Sequence, residues 1–387
     1  MLYFIIRPIV RLTFRIFFSK IHLHHLDRIP RDRPVLISSN HPSAFLEACL
    51  LATHFPKSLH FLVRGDIFIN KYVIWILKQV HLSPIYRVSD GFRNLRANEA
   101  TFNECHHRLK NNEIIVVYAE GNTTQEKRLR PIQKGLARIA FGALDRFPEM
   151  DLCIVPLGVN YTHPNDFRSE VMIEVGEPIE LKNYYKEFNA DNIKAIAELT
   201  QRVESEMKPL VIHVNKDEYL PAAEKLFLIN KSKSRFPFWP VIDRSGVRFV
   251  LDKKSADEIN QMSDDERAGL LKKTESITGE RKPGGIFSLI AFFGKWVNYL
   301  PFYLGEKIAK SAAKRIEFYA SVLVGTTMFL YIFYFLLIGL LAHLIGFSTL
   351  EVWTILILTG ILYLYYRHQI ERIELNSIKM KATGMGL

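Results

Sequence analysis

The chain has 387 residues, of which 48% are hydrophobic and 24% charged, and its formal net charge is +11. That length exceeds one ordinary compact domain, and the basic excess suits an anionic partner: a membrane surface, nucleic acid or a phosphorylated substrate. The absence of an RRM octamer and of zinc-finger spacing disfavours nucleic acid. The three scattered cysteines, Cys49, Cys105 and Cys153, argue against a disulfide framework or structural metal and for a reducing compartment.

The first 26 residues are apolar but interrupted by Arg7, Arg11, Arg15 and Lys20, with no small-residue cleavage site, so they do not read as a signal peptide. Cations every four or five residues gather towards one helix face, and Phe4, Ile5, Ile9, Leu12, Ile16 and Phe17 fill much of the rest. This is the pattern of an interfacial helix on an anionic membrane; a helix docked on the protein body fits it too. Apolar runs at 34–39, 59–62, 113–119, 152–160 and 171–175 read as strands, and stretches at 43–54, 67–80, 135–146 and 191–207 as helices. Such alternation predicts an α/β domain with a largely buried sheet.

Residues 216–283 are polar and charged with little strand signal, which predicts a helical extension. Within it, Ser263 followed three residues later by Glu266 marks a helix start. Ile286 to Leu304 is apolar apart from Lys295 and fits a re-entrant or an interfacial segment. Phe318 to Ala342 carries no charge over 25 residues, long enough for a bilayer core, which needs roughly 20. After a break at Gly346, Val352 to Tyr366 is a second apolar run. Together they predict a transmembrane hairpin with basic flanks: Lys307, Lys310, Lys314 and Arg315 before it, and Arg367, Arg372, Lys379 and Lys381 after it. Both ends are therefore expected on the cytoplasmic side.

The chemistry-bearing residues begin at Asn40-His41-Pro42-Ser43-Ala44-Phe45-Leu46-Glu47. A His lies at the end of a predicted strand, where α/β sheets place ligands, and a carboxylate follows six residues later in a helix. His41 suits proton abstraction from a hydroxyl near neutral pH, and Glu47 can fix its tautomer and stabilise the imidazolium. The same residues also fit a capping or core His beside a surface Glu. His22, His24 and His25 read as interfacial histidines rather than metal ligands, and His106-His107 as a helix-surface pair. A serine hydrolase is disfavoured by the absence of a G-x-S-x-G elbow.

The block around His41 resembles the first motif of the glycerolipid acyltransferase family, with Glu47 where the family usually has Asp. Arg64-Gly65-Asp66-Ile67-Phe68 with Pro84-Ile85-Tyr86-Arg87 is similar to its second motif. Tyr118-Ala119-Glu120-Gly121 is similar to the third, and the run Ile154 to Asn160, containing Pro156, to the fourth. The stretches 161–168 and 175–179 resemble the branch that acylates glycerol 3-phosphate or dihydroxyacetone phosphate. The resemblance covers about 35–180. Asn122-Thr123-Thr124 stand where many members have Thr-Arg-Ser; Arg128, Arg130 and Lys134 can replace the missing cation.

The resemblance implies an O-acyltransferase of phospholipid biosynthesis, with an acyltransferase-type sheet, flanking helices, a helical extension and the C-terminal hairpin. His41 would be the general base and Glu47 its partner. Glu120 and Gly121 would shape the glycerol site, with Asn122 and Thr123 beside them. Arg87 is the first choice for the phosphate, since a guanidinium fork matches phosphate oxygens; Lys134 and Arg168 are second choices. Arg64 and Arg168 equally fit ion pairs with Asp66 and Glu170, and Arg128 and Arg130 equally fit a solvated loop or headgroup contacts. The donor would be acyl-CoA or acyl-carrier protein, with no metal or redox cofactor, and the partners would be membrane lipids and a phosphorylated glycerol acceptor. Another lysophospholipid or amino-lipid acceptor, or a non-catalytic lipid-binding protein on the same fold, are the competing readings. The expected division is an interfacial helix at 1–26, a catalytic domain at 27–215, the helical extension at 216–283, a membrane-associated segment at 284–316, the hairpin at 317–368 and a basic cytoplasmic tail at 369–387, with the catalytic domain on the cytoplasmic face.

Overall fold

Short β-branched and aliphatic runs pair to make the sheet on which the rest is built. The strand β2 (Val35–Ser39) lies between β5 (Ile114–Tyr118) and β6 (Cys153–Tyr161) and is parallel to both. Beyond β5, the strands β3 (Leu59–Arg64) and β4 (Leu82–Ile85) continue the parallel order. Beyond β6, the strand β7 (Glu170–Val175) and the two-residue β8 (Ile179–Glu180) are antiparallel, and β1 (Lys20–His24) lies next to β7. A central strand buried on both faces needs no polar alternation, and β2 and β6 are buried at every position.

The computed structural model describes residues 2–86, 92–234, 236–239, 241–277 and 286–386. They fall into two compact units: Met1–Phe14, His22–Thr162 and Val171–His213, and Arg15–Ile21, His163–Glu170 and Val214–Leu387.

In the first unit the helices are α2 (Ala44–His54), α3 (Lys71–Gln79), α4 (Phe92–Lys110), α5 (Gly135–Arg146), α6 (Lys182–Ala190) and α7 (Asn192–Met207). Leu109, Leu136, Phe141, Leu144, Leu199 and Val203 bring α4, α5 and α7 onto Leu36, Ile115 and Ile154 of the sheet. The helix α7 begins where the Asp191 side chain accepts from the Ile193 and Lys194 N–H groups, satisfying donors that a helix start leaves open. The helix α4 and the strand β4 lie outside the sequence-predicted elements. Polar residues such as Glu99, Asn103 and Glu104 dilute the apolar period of α4, and β4 holds only four residues. His106 is buried and turns towards Gly142, whereas His107 is exposed; the expected surface pair is therefore split between two faces of α4.

The first helix, α1 (Leu2–Phe17), belongs to this unit up to Phe14. Its arginines do not line up against solvent. Arg7 donates to the Phe55 carbonyl and Arg11 to the Thr53 carbonyl at 2.8 Å, and Tyr3 Oη donates to the Ala52 carbonyl at 3.0 Å. These carbonyls lie at the end of α2, where the helix dipole is negative and cations are favoured. Phe4, Ile5, Ile9 and Leu12 are left exposed.

In the second unit, α8 (Leu220–Lys233) packs against α9 (Val247–Gln261) and α10 (Asp264–Thr274). The start of α10 is a full capping box between Ser263 and Glu266, as the sequence predicts. The helices α11 (Ile286–Ala312), α12 (Ile316–Leu344) and α13 (Thr349–Gly384) pack on one another. Among the described residues, α12 and α13 are the two helices long and apolar enough to cross a membrane. Glu351, which immediately precedes the second apolar run, sits in the first turn of α13, where Ser348 accepts from its N–H. The helix α11 runs along both: Tyr331 Oη donates to the Asn298 carbonyl at 3.1 Å and Tyr334 Oη to the Val297 carbonyl at 3.0 Å. A Cβ on Gly294 would stand 2.7 Å from the Thr359 carbonyl oxygen. Beyond its apolar run, α13 continues into a small core where Leu375, Ile378 and Ala382 meet Ile229 and Ile277, and Lys231 bridges Glu170 and Glu371 at 3.1 and 2.7 Å.

Close backbone approach also governs β6. A Cβ on Gly158 would lie 2.0 Å from the Leu210 carbonyl oxygen, a backbone atom that cannot swing aside. Gly158→Ala should cost about 1–3 kcal/mol of stability, read as a lowered denaturation midpoint; an unchanged midpoint would mean that this approach is not tight.

Candidate active site

The parallel register of β2 and β5 pairs Ser39 with Tyr118. His41 and Glu120 each follow two residues later, so both leave the sheet at the same end, where such domains place ligands. The Ala119 N–H donates to the Ser39 carbonyl at 3.0 Å, extending the ladder by one bond. The His41 N–H then donates to Glu120 Oε2 at 3.0 Å, and the His41 carbonyl accepts from the Thr124 N–H at 3.3 Å. Asn40 secures the other side: its Nδ2 donates to the Val159 carbonyl at 2.9 Å and its Oδ1 accepts from the Val159 N–H at 2.7 Å. The backbone at His41 is thus held from β5 and β6 together. The imidazole stacks on the Tyr118 ring, with centroids 3.9 Å apart and planes at 16°.

Glu47 comes from the first turn of α2. Its Oε1 accepts from the Ser43 N–H, closing one of the donors that a helix N-terminus leaves open. Its Oε2 stands 3.6 Å from His41 Nδ1, with the carboxyl fully buried and the imidazole 15% exposed. This is ion-pair range, longer than a tight hydrogen bond; apo catalytic contacts often shorten only when substrate binds. Burial pushes the Glu47 carboxyl well above the usual range, the negative charge of Glu120 adds to the rise, and backbone N–H groups oppose it.

Glu120 is gripped from the loop that follows it. Its Oε1 accepts from the Arg130 N–H at 3.0 Å and its Oε2 from Arg130 Nη2 at 2.7 Å. The same guanidinium reaches Thr124 Oγ1 at 3.0 Å and the Asn122 carbonyl. Gly121, at φ +71°, supplies the left-handed turn that folds this loop back, a conformation that costs glycine little. Lys127 Nζ donates to the Tyr161 and Thr162 carbonyls at 3.0 and 2.6 Å.

The structure therefore brings His41, Glu47, Glu120 and Gly121 together with Asn122, which is exposed, and Thr123, which is buried. Lys134 is exposed at the start of α5, and the Gln133 N–H before it donates to the Ala119 carbonyl at 2.7 Å. Arg64 Nε is bonded to Asp66 Oδ1 at 3.1 Å on the surface. Arg168 lies in the second unit, buried, with Nη1 donating to the Phe18 carbonyl at 3.2 Å. Arg87 lies outside the described residues; the Tyr86 backbone before it is held by Asn98, which accepts from its N–H at 2.8 Å and donates to its carbonyl at 2.7 Å. Arg128 pairs with Glu126 at 2.5 Å. Among the histidines near the N-terminus, His24 Nδ1 lies 2.7 Å from Glu174 Oε2, and burial pushes that carboxyl up to about 8.

In the sequence Arg130 is one of several loop cations, and nothing there singles out Tyr118. The spacing of Arg130, ten residues after Glu120, offers no periodic signal. Only the turn at Gly121 makes the two neighbours.

Two stability predictions follow from these charges. Arg130→Ala should cost about 3 kcal/mol, because it leaves a buried carboxylate without its cation; chemical denaturation measures this, and a loss near zero would make the pair energetically idle. For Glu47 the raised folded-state value means that ionisation opposes folding. The penalty is absent below the unfolded value and grows as pH rises towards the folded one. Glu47→Gln keeps an acceptor for Ser43, so it should match the parent at about pH 4 and exceed it in stability at about pH 8. A gap independent of pH would refute the buried-acid reading.

The acyltransferase family model matches residues 20–160. Glycerol-3-phosphate O-acyltransferase 1 of Saccharomyces cerevisiae is 36% identical over 94 residues, 23% of this chain and 12% of that protein. Glycerol-3-phosphate O-acyltransferase 2 of the same yeast is 35% identical over 95 residues, 24% of this chain and 13% of that protein. The match thus spans about an eighth of the length of these yeast relatives. A 1-acyl-sn-glycerol-3-phosphate acyltransferase of Bacillus subtilis is 22% identical over 190 residues, 47% of this chain and 86% of that protein. Among solved structures, the lysophosphatidic acid acyltransferase PlsC of Thermotoga maritima aligns with a TM-score of 0.39 and 19% identity, over 53% of this chain and 79% of that one. The residues that match the acyltransferase family model, 20–160, contain His41, Glu47 and the Glu120 loop.

Proposed function

We propose that the protein transfers an acyl group from a thioester, acyl-CoA or acyl-carrier protein, to a hydroxyl of glycerol 3-phosphate or lysophosphatidic acid. The observation that carries this reading is the imidazole of His41, fixed at the ends of two parallel strands with Glu47 behind Nδ1. With Glu47 on the Nδ1 side, Nε2 is assigned to take the hydroxyl proton as the oxygen attacks the thioester carbonyl carbon. When the tetrahedral intermediate collapses, the C–S bond breaks and the imidazolium returns the proton to the departing thiolate. A carboxylate that is costly to keep charged in isolation gains most from a cation forming beside it, which suits Glu47 to stabilise that imidazolium.

Glu120 acts on this site by holding the His41 backbone. Arg87 is assigned to the acceptor phosphate, with Lys134 as a further cation near the Glu120 loop. The acyl thioester supplies the driving force, and no redox cofactor is required. The helices α12 and α13 cross the bilayer as a hairpin with basic ends on the cytoplasmic side, which keeps the enzyme beside its lipid product.

The test is transfer of labelled acyl from acyl-CoA by the purified, detergent-solubilised protein, with glycerol 3-phosphate and lysophosphatidic acid offered separately. His41→Ala should lower kcat by about a hundredfold or more. Arg87→Ala should raise KM for the phosphorylated acceptor more than it lowers kcat. Equal turnover by His41→Ala would rule out His41 as the base.

A further inference from the structure

The helix α3 is a nine-residue amphipathic helix with no buried residue. Tyr72, Trp75 and Ile76 fall on one side of it at helical spacing, Ile69 precedes its Asn70 cap, and all four are exposed, Trp75 at 62%. The helix α1 likewise leaves Phe4, Ile5, Ile9 and Leu12 outward, Leu12 at 60%. The Tyr3 ring of α1 stacks on His81, two residues past the end of α3, with centroids 4.5 Å apart and planes at 12°. An apolar surface on this scale is unusual on a freely soluble face.

We infer that α1 and α3 together form a bilayer-contacting face of the first unit, seated at the headgroup boundary. Charge and composition select this occupant. Neither helix carries an acidic residue. Lys71 and Lys78 are exposed at the two ends of α3, placed for anionic headgroups, and Lys71 Nζ lies 5.3 Å from the centroid of the Tyr72 ring. Tyr and Trp on the apolar side, with lysines at the margins, is the composition of helices that lie in a lipid interface. Arg7 and Arg11 of α1 face inward to the α2 carbonyls, so this helix meets lipid through its apolar side chains, and these two cations fasten it to the domain. The inference rests on the membrane placement of α12 and α13 for the nearness of lipid, and not on acyl transfer.

The test uses the full chain in nanodiscs of phosphatidylcholine with a minority of phosphatidylglycerol, with and without bromine on the acyl chains. The fluorescence difference between the parent and Trp75→Phe isolates Trp75. The expected result is a Trp75 component quenched severalfold more by brominated lipid than by aqueous iodide. A component reached by iodide and untouched by bromine overturns the inference. A component shielded from both also overturns it and places another polypeptide on the face. A chain that does not stay with the discs overturns the membrane placement beneath it, whereas a retained chain with unquenched Trp75 overturns the face alone.

Discussion

The register between β2 and β5 is the constraint on which the candidate site depends. Because Ser39 faces Tyr118 in parallel pairing, two segments almost eighty residues apart in the chain end together. A one-residue slip would send His41 away from Glu120 and turn the strand residues to the opposite face. The flanking bonds resist such a slip. Asn40 bridges to Val159 with two hydrogen bonds, and the Ala119 N–H bonds to the Ser39 carbonyl. The imidazole is therefore located by backbone and amide geometry before any acid beside it contributes.

The charges around His41 divide the work between two carboxyls. Glu120 is matched by Arg130 and spends its oxygens on backbone N–H groups. Glu47 sits fully buried, faces the His41 imidazole and feels the charge of Glu120. One carboxylate is thus neutralised and positional. Burial disfavours ionisation of the other, and a positive imidazole beside it would offset that cost. A longer side chain than the Asp usual in the family motif is compatible with this, because Glu47 reaches back from the first turn of α2 to the Ser43 N–H while facing the imidazole.

The central strands were readable because burial on both faces makes them continuous apolar runs; the ranges expected at 34–39, 113–119 and 152–160 differ from the observed β2, β5 and β6 by a residue or two. The helix at 191–207 was readable from its amphipathic pattern and its Asp191 cap. The strand β4 was not, since a four-residue edge strand containing Pro84 carries little pattern. At the site, His41, Glu47 and Glu120 were legible as motif residues. The grip of Arg130 on Glu120 was not, because it depends on a left-handed turn at Gly121 that spacing does not encode. The orientation of α1 shows the same limit. Its arginines and apolar residues were both visible in the sequence, but which set faces the protein was decided by the carbonyls at the end of α2.

The unbroken course of α13 has a mechanical consequence. At 36 residues it is about 54 Å long, from a rise of about 1.5 Å per residue, while its apolar run is confined to the first half. The second half is clamped by Ile229 and Ile277 and by the Lys231–Glu371 pair. In the bilayer placement proposed above, no joint would separate the part in lipid from the clamped part. Changes in lipid thickness that tilt the span would therefore move its far end as a lever arm, passing the physical state of the lipid to the small core around Ile229 and Ile277.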